Sequence, residues 1–322
     1  MLNEIEWVAD KDSMHMVDAL IRVLQAQGEK TVSPTGTTGL HPFLLPLTAK
    51  SEGKSEGSKE LLTCLLCWPE SHKGMELPVV RMGRGDSSVE LVARSATEYI
   101  HRALAEDECR DSPSLGVASA VGSLANSVYE PGAVSRSGLP TLDAYLARRA
   151  GMFPDICERL ATAHAAKGDS MSALITAEWY MRQGNFPNWG RPYEFVCMLL
   201  ESTGRFEERR DLARVALRMP WWSLSNGFTA MRDAAELTGD ADAVKQTLDM
   251  LDEMANGDGN FKPSPSIPKT RQQAQVENAL HLMNRVAAGE MTWEAARSGV
   301  LEAYQAAGMT KAVRFLELSC ET

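Results

Sequence analysis

Cys64 and Cys67 are the residues whose type and spacing best suit chemistry, since they form a CxxC motif in the apolar run LLTCLLCW. Thiolates at this spacing can bind zinc or take part in thiol–disulfide exchange. A structural zinc site needs four ligands, however, and the nearby sequence adds only His72. The apolar surroundings instead favour two buried cysteines in a strand, so the sequence predicts no metal and no other cofactor.

Arg84 belongs to a GRGD segment, Gly83 to Asp86, between a predicted strand and a predicted helix. A phosphate could meet a helix N-terminus there, but GxGxxG and GxxxxGK[ST] are both missing, which favours a tight turn. The histidines show no HExxH spacing, and the GxSxG motif is absent. The sequence therefore favours a protein that is not an enzyme. The alternative is an enzyme with a small-molecule site between an N-terminal domain and a helical domain, using His101, Arg84 or Cys67.

The charge balance argues against nucleic acid as a partner. The 322 residues carry a formal net charge of −10, from 33 basic and 43 acidic side chains. Binding to phosphate backbones depends on Lys and Arg residues that release counterions. RNA binding by the helical region is therefore a third, disfavoured alternative. The sequence also contains no apolar run that approaches the roughly 18 residues of a membrane span.

The candidate residues in the first third of the chain fall in a predicted small α+β domain, residues 1–106. Apolar residues at helical spacing predict helices, and short apolar runs between turn signals predict strands. Ser87 or Ser88 is the predicted cap of the second helix. The elements are a helix at 12–27, an edge strand at 40–48, a surface loop at 51–59, a hairpin of strands at 61–68 and 76–82, and a helix at 89–105.

Residues 107–140 are rich in Ser, Gly and Ala and are predicted to form a linker, whereas every periodic segment in 141–322 is helical. Three two-residue turns align within that helical region: Gly168-Asp169, Gly204-Arg205 and Gly239-Asp240. Their spacings of about 35 residues match one helix-turn-helix repeat. Three final helices, at 271–287, 292–306 and 310–320, are predicted to cap the repeats.

These blocks resemble tetratricopeptide repeats (TPR), in which a Gly-Asp type of turn separates the two helices of each repeat. The middle block fits best, with Tyr193 near the start of its first helix, Ala216 at a small position and Pro220 near its end. Arg209 and Val244 depart from the pattern because a small residue is expected there. The resemblance implies a mainly α fold, a TPR-like α-solenoid preceded by the small α+β domain.

A narrower resemblance rests on NFPNWGRPYEF, GRFEERRDLARVALR and PWW, and on YIHRALAED in the N-terminal domain. These segments are similar to a family of poorly characterised helical-repeat proteins of plant and green-algal chloroplasts. The resemblance implies a chloroplast location, but no reaction. The acidic N-terminus lacks a transit-peptide character, so the resemblance also implies a mature or trimmed chain. Without it, six scattered cysteines and the lack of a secretory signal would indicate the cytoplasm.

The densest group of aromatic residues and arginines lies in 185–224, and it is the candidate partner-binding site. Packing between neighbouring hairpins would explain it most simply. Two adjacent tryptophans after Pro220 do not easily face the same core, however, so one of them is expected to be partly exposed. Trp with Arg neighbours is typical of binding hot spots. The sequence therefore favours a scaffold or assembly factor that binds a protein or peptide, through Trp189, Arg191, Tyr193, Arg218, Trp221 and Trp222.

Overall fold

A computed structural model describes residues 11–51, 60–69, 76–110, 116–182, 184–255 and 269–319. This described part is mainly helical and contains a five-stranded antiparallel sheet with strand order β1-β2-β3-β4-β5. The chain divides into two compact units. The first unit comprises Met1–Asp86, Glu90–Tyr180 and Arg314–Thr322, and the second comprises Ser87–Val89 and Met181–Val313.

The sheet of the first unit confirms the predicted hairpin, whose strands pair in antiparallel register. The strand predicted at 40–48 begins later, at Leu44, and it is not an edge strand because the two-residue β1 pairs with its other side. The predicted loop at 51–59 lies outside the described residues apart from Ser51. The first unit opens with helix α1 (Lys11–Ala26) and strands β1 (Lys30–Thr31), β2 (Leu44–Ser51), β3 (Glu60–Leu66), β4 (Val79–Gly83) and β5 (Glu90–Ala93).

The helix predicted at 89–105 is wrong in its first part, where the chain forms β5 instead. Leu91 and Ala93 are buried while Val92 between them is half-buried, which is the alternation of a strand. Ser95 then caps α2 (Ala96–Glu108), and its Oγ accepts a hydrogen bond from the Glu98 amide at 3.1 Å. An apolar run of this length fits the core equally well as a helix or as a strand, and pairing with the rest of the sheet decides between the two.

The segment predicted as a linker contains short helices, and three of its side chains, Val117, Val121 and Tyr129, are buried. The domain boundaries drawn from the sequence stay a prediction. The first unit continues with α3 (Val117–Val121), a 3₁₀ turn (Gly122–Leu124), α4 (Ala125–Val128), α5 (Ala133–Arg136), α6 (Leu142–Tyr145) with a π-helical extension (Leu146–Ala150), α7 (Pro154–Ala166) and α8 (Ser170–Met181).

The chain's last residues also belong to the first unit. Phe315 stacks on Phe43 with ring centroids 6.1 Å apart, and both rings are buried. The Thr37 hydroxyl donates a hydrogen bond to the carbonyl of Ser319 at 3.0 Å. The end of helix α15 (Thr310–Leu318) thus completes the core of a unit that begins at the N-terminus.

The second unit is helical, and its α9 and α10 pack together as a hairpin, as do α13 and α14. Gly168 of the first unit and Gly204 and Gly239 of the second all have positive φ, and Gly168 and Gly204 directly follow the ends of helices, where a left-handed residue is expected. The helix before Gly239 is shorter than its counterparts and ends at Ala234. The elements are α9 (Arg191–Ser202), α10 (Phe206–Ala216), a 3₁₀ turn (Trp221–Ser223), α11 (Gly227–Ala234), α12 (Ala241–Ala255), α13 (Arg271–Ala287) and α14 (Trp293–Ala306).

Candidate functional site

The tryptophans of the predicted partner-binding site are all buried. Trp221 is 2% exposed and Trp222 is 1% exposed, so the expectation that one of them faces solvent is wrong. Successive side chains on a 3₁₀ turn point about 120° apart, and this separates the two rings. Trp221 stacks on Phe228 with centroids 4.3 Å apart, whereas Trp222 meets the edge of Trp189 at 5.3 Å. Each tryptophan therefore fills its own apolar space.

Glu194, which the sequence did not single out, is the polar centre of this region. Its carboxylate is fully buried and accepts hydrogen bonds from the backbone amides of Ser225 and Asn226, both at 2.8 Å. These amides precede α11, where a negative charge is favourable. Arg191 donates a third hydrogen bond to the same carboxylate at 2.7 Å. Arg191 and Glu194 thus join α9 to the start of α11.

A tight backbone contact closes the other side of the same corner. The amide of Gly190 donates to Ser223 Oγ at 2.7 Å, and Ser223 Oγ donates to the carbonyl of Pro220 at 2.5 Å. A Cβ atom at position 190 would lie only 2.7 Å from a side-chain carbon of Leu224. Glycine is therefore favoured here by space rather than by backbone conformation, because any larger residue would have to displace the side chain of Leu224.

The other predicted site residues reach the surface to different degrees. Tyr193 is half-buried against the second unit's core, and the exposed Arg218 forms an ion pair with Asp252. Contact of these residues with a partner stays a prediction. The same unit has two large apolar side chains that face solvent on its α9–α10 hairpin, Met198 at 44% and Phe206 at 57% exposure. Sequence reasoning missed them because Phe206 is a regular helix-start residue and Met198 lies in an ordinary apolar run.

Three residues were named for the enzyme alternative, Cys67, Arg84 and His101, and each has a different set of neighbours. Burial raises the pKa of the Cys67 thiol to about 12, which disfavours the reactive thiolate. Arg84 is bound by Glu60 at 2.7 Å and by the carbonyl of Thr38 at 2.6 Å. His101 contacts the Tyr145 hydroxyl at 3.2 Å, and burial lowers the pKa of its ring. Within the described residues, no group of His, Cys, Asp and Glu side chains could hold a metal ion.

A polar pocket of about 430 Å³ lies inside the first unit. Its floor follows from the register of the sheet, because Thr48 lies opposite Thr63, Thr63 opposite Arg81 and Arg81 opposite Glu90. Directly opposed residues share one face of a sheet. Four neighbouring strands therefore place a single polar row on that face.

The buried carboxylate of Glu29 joins this row. The hydroxyls of Thr48 and Thr63 both donate to its Oε2, at 2.5 and 2.8 Å. Its Oε1 lies 3.8 Å from Nη2 of Arg81, a distance that allows charge attraction but exceeds a hydrogen bond. Glu29 thus holds a positive charge at the floor of the pocket while leaving the guanidinium donors of Arg81 unused by this contact.

Helix α2 supplies the opposite wall through a stripe of residues at helical spacing, Tyr99, Arg102 and Glu106, and Arg110 lines the pocket just beyond the end of the helix. Burial raises the pKa of the Tyr99 hydroxyl to about 12, so Tyr99 is neutral at physiological pH. Arg102 is held by two parallel hydrogen bonds to Asp155, each 2.8 Å, and by Glu106 at 2.7 Å. Thr48, Thr63 and Arg81 are polar residues within apolar strands, and this signal for the pocket is visible in the sequence. The strand register that places them side by side is not.

Comparisons with known proteins cover nearly the whole chain. The family models that match are described as PAB N-terminal, PAB middle domain and PAB C-terminal domain, over residues 2–149, 154–241 and 249–319. A relative from Arabidopsis thaliana named Protein IN CHLOROPLAST ATPASE BIOGENESIS, chloroplastic, is 34% identical over 301 residues, which span 94% of this chain and 85% of the relative. No solved structure matches the chain.

Proposed function

This chain belongs to the PAB family, and on that basis we propose that it is a non-enzymatic assembly factor in the biogenesis of a chloroplast ATPase. The observation that carries the proposal is the likeness to the Arabidopsis relative along nearly the full length of both proteins. A likeness of this extent supports a shared role more strongly than a match to one domain would, because function depends on sites as well as fold. The proposed location is the chloroplast, after the relative's name.

The proposed partner is a protein of that assembly process, bound through the helical second unit. Phe206 and Met198 offer exposed apolar surface on one hairpin, and burying a side chain of this size contributes about 1.5–3 kcal/mol. Tyr193 and Arg218 contribute the aromatic and guanidinium groups that enrich binding hot spots. The buried tryptophans hold this hairpin in place. The negative net charge of the chain supports a protein partner over nucleic acid.

We propose a TPR-like arrangement for the helical part of the chain as well. The three glycine turns at about 35-residue spacing support it, since each glycine has a positive φ and lies in the turn between two helices. The α9–α10 hairpin has the two-helix form of one repeat. Among the helices of the described ranges, none has both the length and the apolar composition required to cross a bilayer.

Complementation tests the proposed role. The chain, fused to a plastid-targeting segment, would be expressed in Arabidopsis plants that lack the relative, and the assembled chloroplast ATPase would be measured on native gels. We expect the ATPase complex to recover and individual ATPase subunits to co-purify with the chain. Folded protein that accumulates in the plastid without raising the level of the complex would refute the proposal.

Variants in the same plants test the surface. Phe206→Ala should reduce both recovery of the complex and co-purification of its subunits, because it removes the largest exposed apolar group on the hairpin. Met250→Ala, an exposed apolar residue on α12, is the matched control and should behave as the wild type. Loss of recovery in His101→Gln with full recovery in Phe206→Ala would favour the enzyme alternative instead. Salt-sensitive binding of the purified chain to RNA would favour the third alternative.

A further inference from the structure

The pocket of the first unit has its hydrogen-bond acceptors largely occupied. Gln27 Oε1 accepts from the Tyr99 hydroxyl at 2.7 Å. Glu29 Oε2 accepts from two threonine hydroxyls, and the carboxylates of Asp155 and Glu106 both bind Arg102. A ligand that entered with donor groups would compete with these existing bonds.

The unused capacity of the pocket consists of donors. Gln27 Nε2, Lys50 Nζ and the guanidinium groups of Arg81 and Arg110 all line it, and none has a hydrogen-bond acceptor among the residues that the structure describes. Lys50 lies on the same face of β2 as Thr48, two residues away, and so points toward the same side of the sheet as Arg81. Donor groups from β2, β4, the turn after α1 and the residues just after α2 therefore line one space.

We propose that this pocket binds a small phosphate-bearing molecule, with the Arg81 guanidinium as the central contact. The fork of an arginine fits two phosphate oxygens at once, and hydrogen bonds between charged groups are the stronger ones. The Glu29 carboxylate attracts the guanidinium of Arg81, but at 3.8 Å from Nη2 it is too far away to accept a hydrogen bond. Lys50 and Arg110 supply further positive charge at the exposed rim.

The number of donors favours phosphate over carboxylate, and the volume favours a small molecule. A carboxylate offers two oxygens, whereas a phosphate monoester offers three terminal oxygens and nearly two negative charges at neutral pH. Four separate donor groups therefore match the monoester better. The volume of about 430 Å³ lies within the usual range for small-ligand sites. This binding activity is independent of the proposed assembly role.

Titration of the purified full chain with defined probes tests the proposal. Glycerol 3-phosphate, inorganic phosphate and succinate would be compared by calorimetry and by thermal shift, with ionic strength held constant by NaCl. We expect saturable binding of glycerol 3-phosphate with a Kd below about 1 mM, weaker binding of inorganic phosphate and weaker still of succinate. Arg81→Gln should raise the Kd by about tenfold or more, because it removes charged hydrogen bonds.

Arg148→Gln is the matched control, since Arg148 is an exposed arginine of the same unit outside the pocket lining, and its Kd should equal that of the wild type. Should Arg81→Gln fail to fold, Lys50→Gln at the exposed rim decides, with an expected loss of several-fold. Absence of saturable binding by glycerol 3-phosphate overturns the proposal, as does an equal Kd in the pocket variant and the control. Tighter binding of succinate than of either phosphate also overturns it. Because only the purified chain is used, these outcomes do not depend on plant complementation.

Discussion

Replacement of Glu194 by glutamine should destabilise the second unit more than any surface substitution. The fully buried carboxylate accepts hydrogen bonds from two backbone amides and from Arg191. Glutamine has nearly the same shape but only one acceptor oxygen, and its NH₂ group would face an N–H donor. At least one of the two backbone amides would then lose its protein acceptor, and Arg191 would lose its counter-charge.

The expected loss is about 3–4 kcal/mol. Removing one partner of a buried ion pair costs about 3–5 kcal/mol, and the amides of the exposed Ser225 and Asn226 add little to that cost because water can replace their acceptor. Arg191 keeps 17% of its side chain exposed, so water recovers part of its charge solvation and the lower part of that range applies. At roughly 3 °C per kcal/mol for a domain of this size, the melting temperature should fall by about 10 °C.

Thermal unfolding followed by tryptophan fluorescence measures this loss, because Trp189, Trp221 and Trp222 are buried in the same unit. Glu208→Gln is the matched control, since Glu208 is an exposed glutamate of α10 that pairs with Arg205 on the surface. It should leave the melting temperature unchanged. A Glu194→Gln protein that melts within about 1 °C of the wild type would refute the structural role of the carboxylate.

Three further predictions follow from burial and charge. Gly190→Ala should lower stability by about 1–3 kcal/mol in urea unfolding, because its Cβ would overlap the leucine side chain 2.7 Å away; an unchanged midpoint would contradict that contact. Although burial opposes its ionisation, Arg102 holds the pKa of Asp155 below the usual 3.8, so Asp155 contributes stability above about pH 4 that is lost as pH falls through the lower folded pKa. Asp155→Asn should therefore cost about 1 kcal/mol at pH 7 and progressively less as the pH falls below about 4, and a pH-independent difference would exclude this origin. Maleimide should label exposed Cys109 at least about tenfold faster than buried Cys67 in the native protein, as measured by peptide mass spectrometry; equal rates would place Cys67 at the surface.

Local patterns predicted most of the helices, because each carries its own boundary signals. The helix at 271–287 is confirmed at both ends, where Thr270 and Gln273 form a capping box. Positive φ at Gly168 and Gly204, directly after two helices, follows from the same local chemistry. β5 was not predictable in this way. Its four residues fit a helix and a strand equally well, and pairing with the neighbouring strand of the sheet decides between them.

The candidate sites depended on contacts that no local pattern contains. Trp221 and Trp222 were expected to compete for one core, but the 3₁₀ turn directs them to different neighbours. From the local sequence, Glu194 resembles an ordinary surface glutamate. Its role depends on hydrogen bonds to the residues before α11, which lie some thirty positions later in the chain. The pocket of the first unit likewise needs the register that sets Thr63 opposite Arg81. Residue types are local information, whereas register and long-range pairing are not.

The return of the chain's end to the first unit sets a condition on the order of its folding. The hydrogen bond from Thr37 to Ser319 joins residues 282 positions apart, and Phe315 covers the ring of Phe43 nearby. A ribosome releases the sheet well before the residues that cover it, so apolar side chains of the sheet stay uncovered while the intervening chain is synthesised. Loss of Phe315 and the residues beside it would therefore harm the first unit, and the uncovered nascent chain exposes apolar surface of the kind that leads to aggregation.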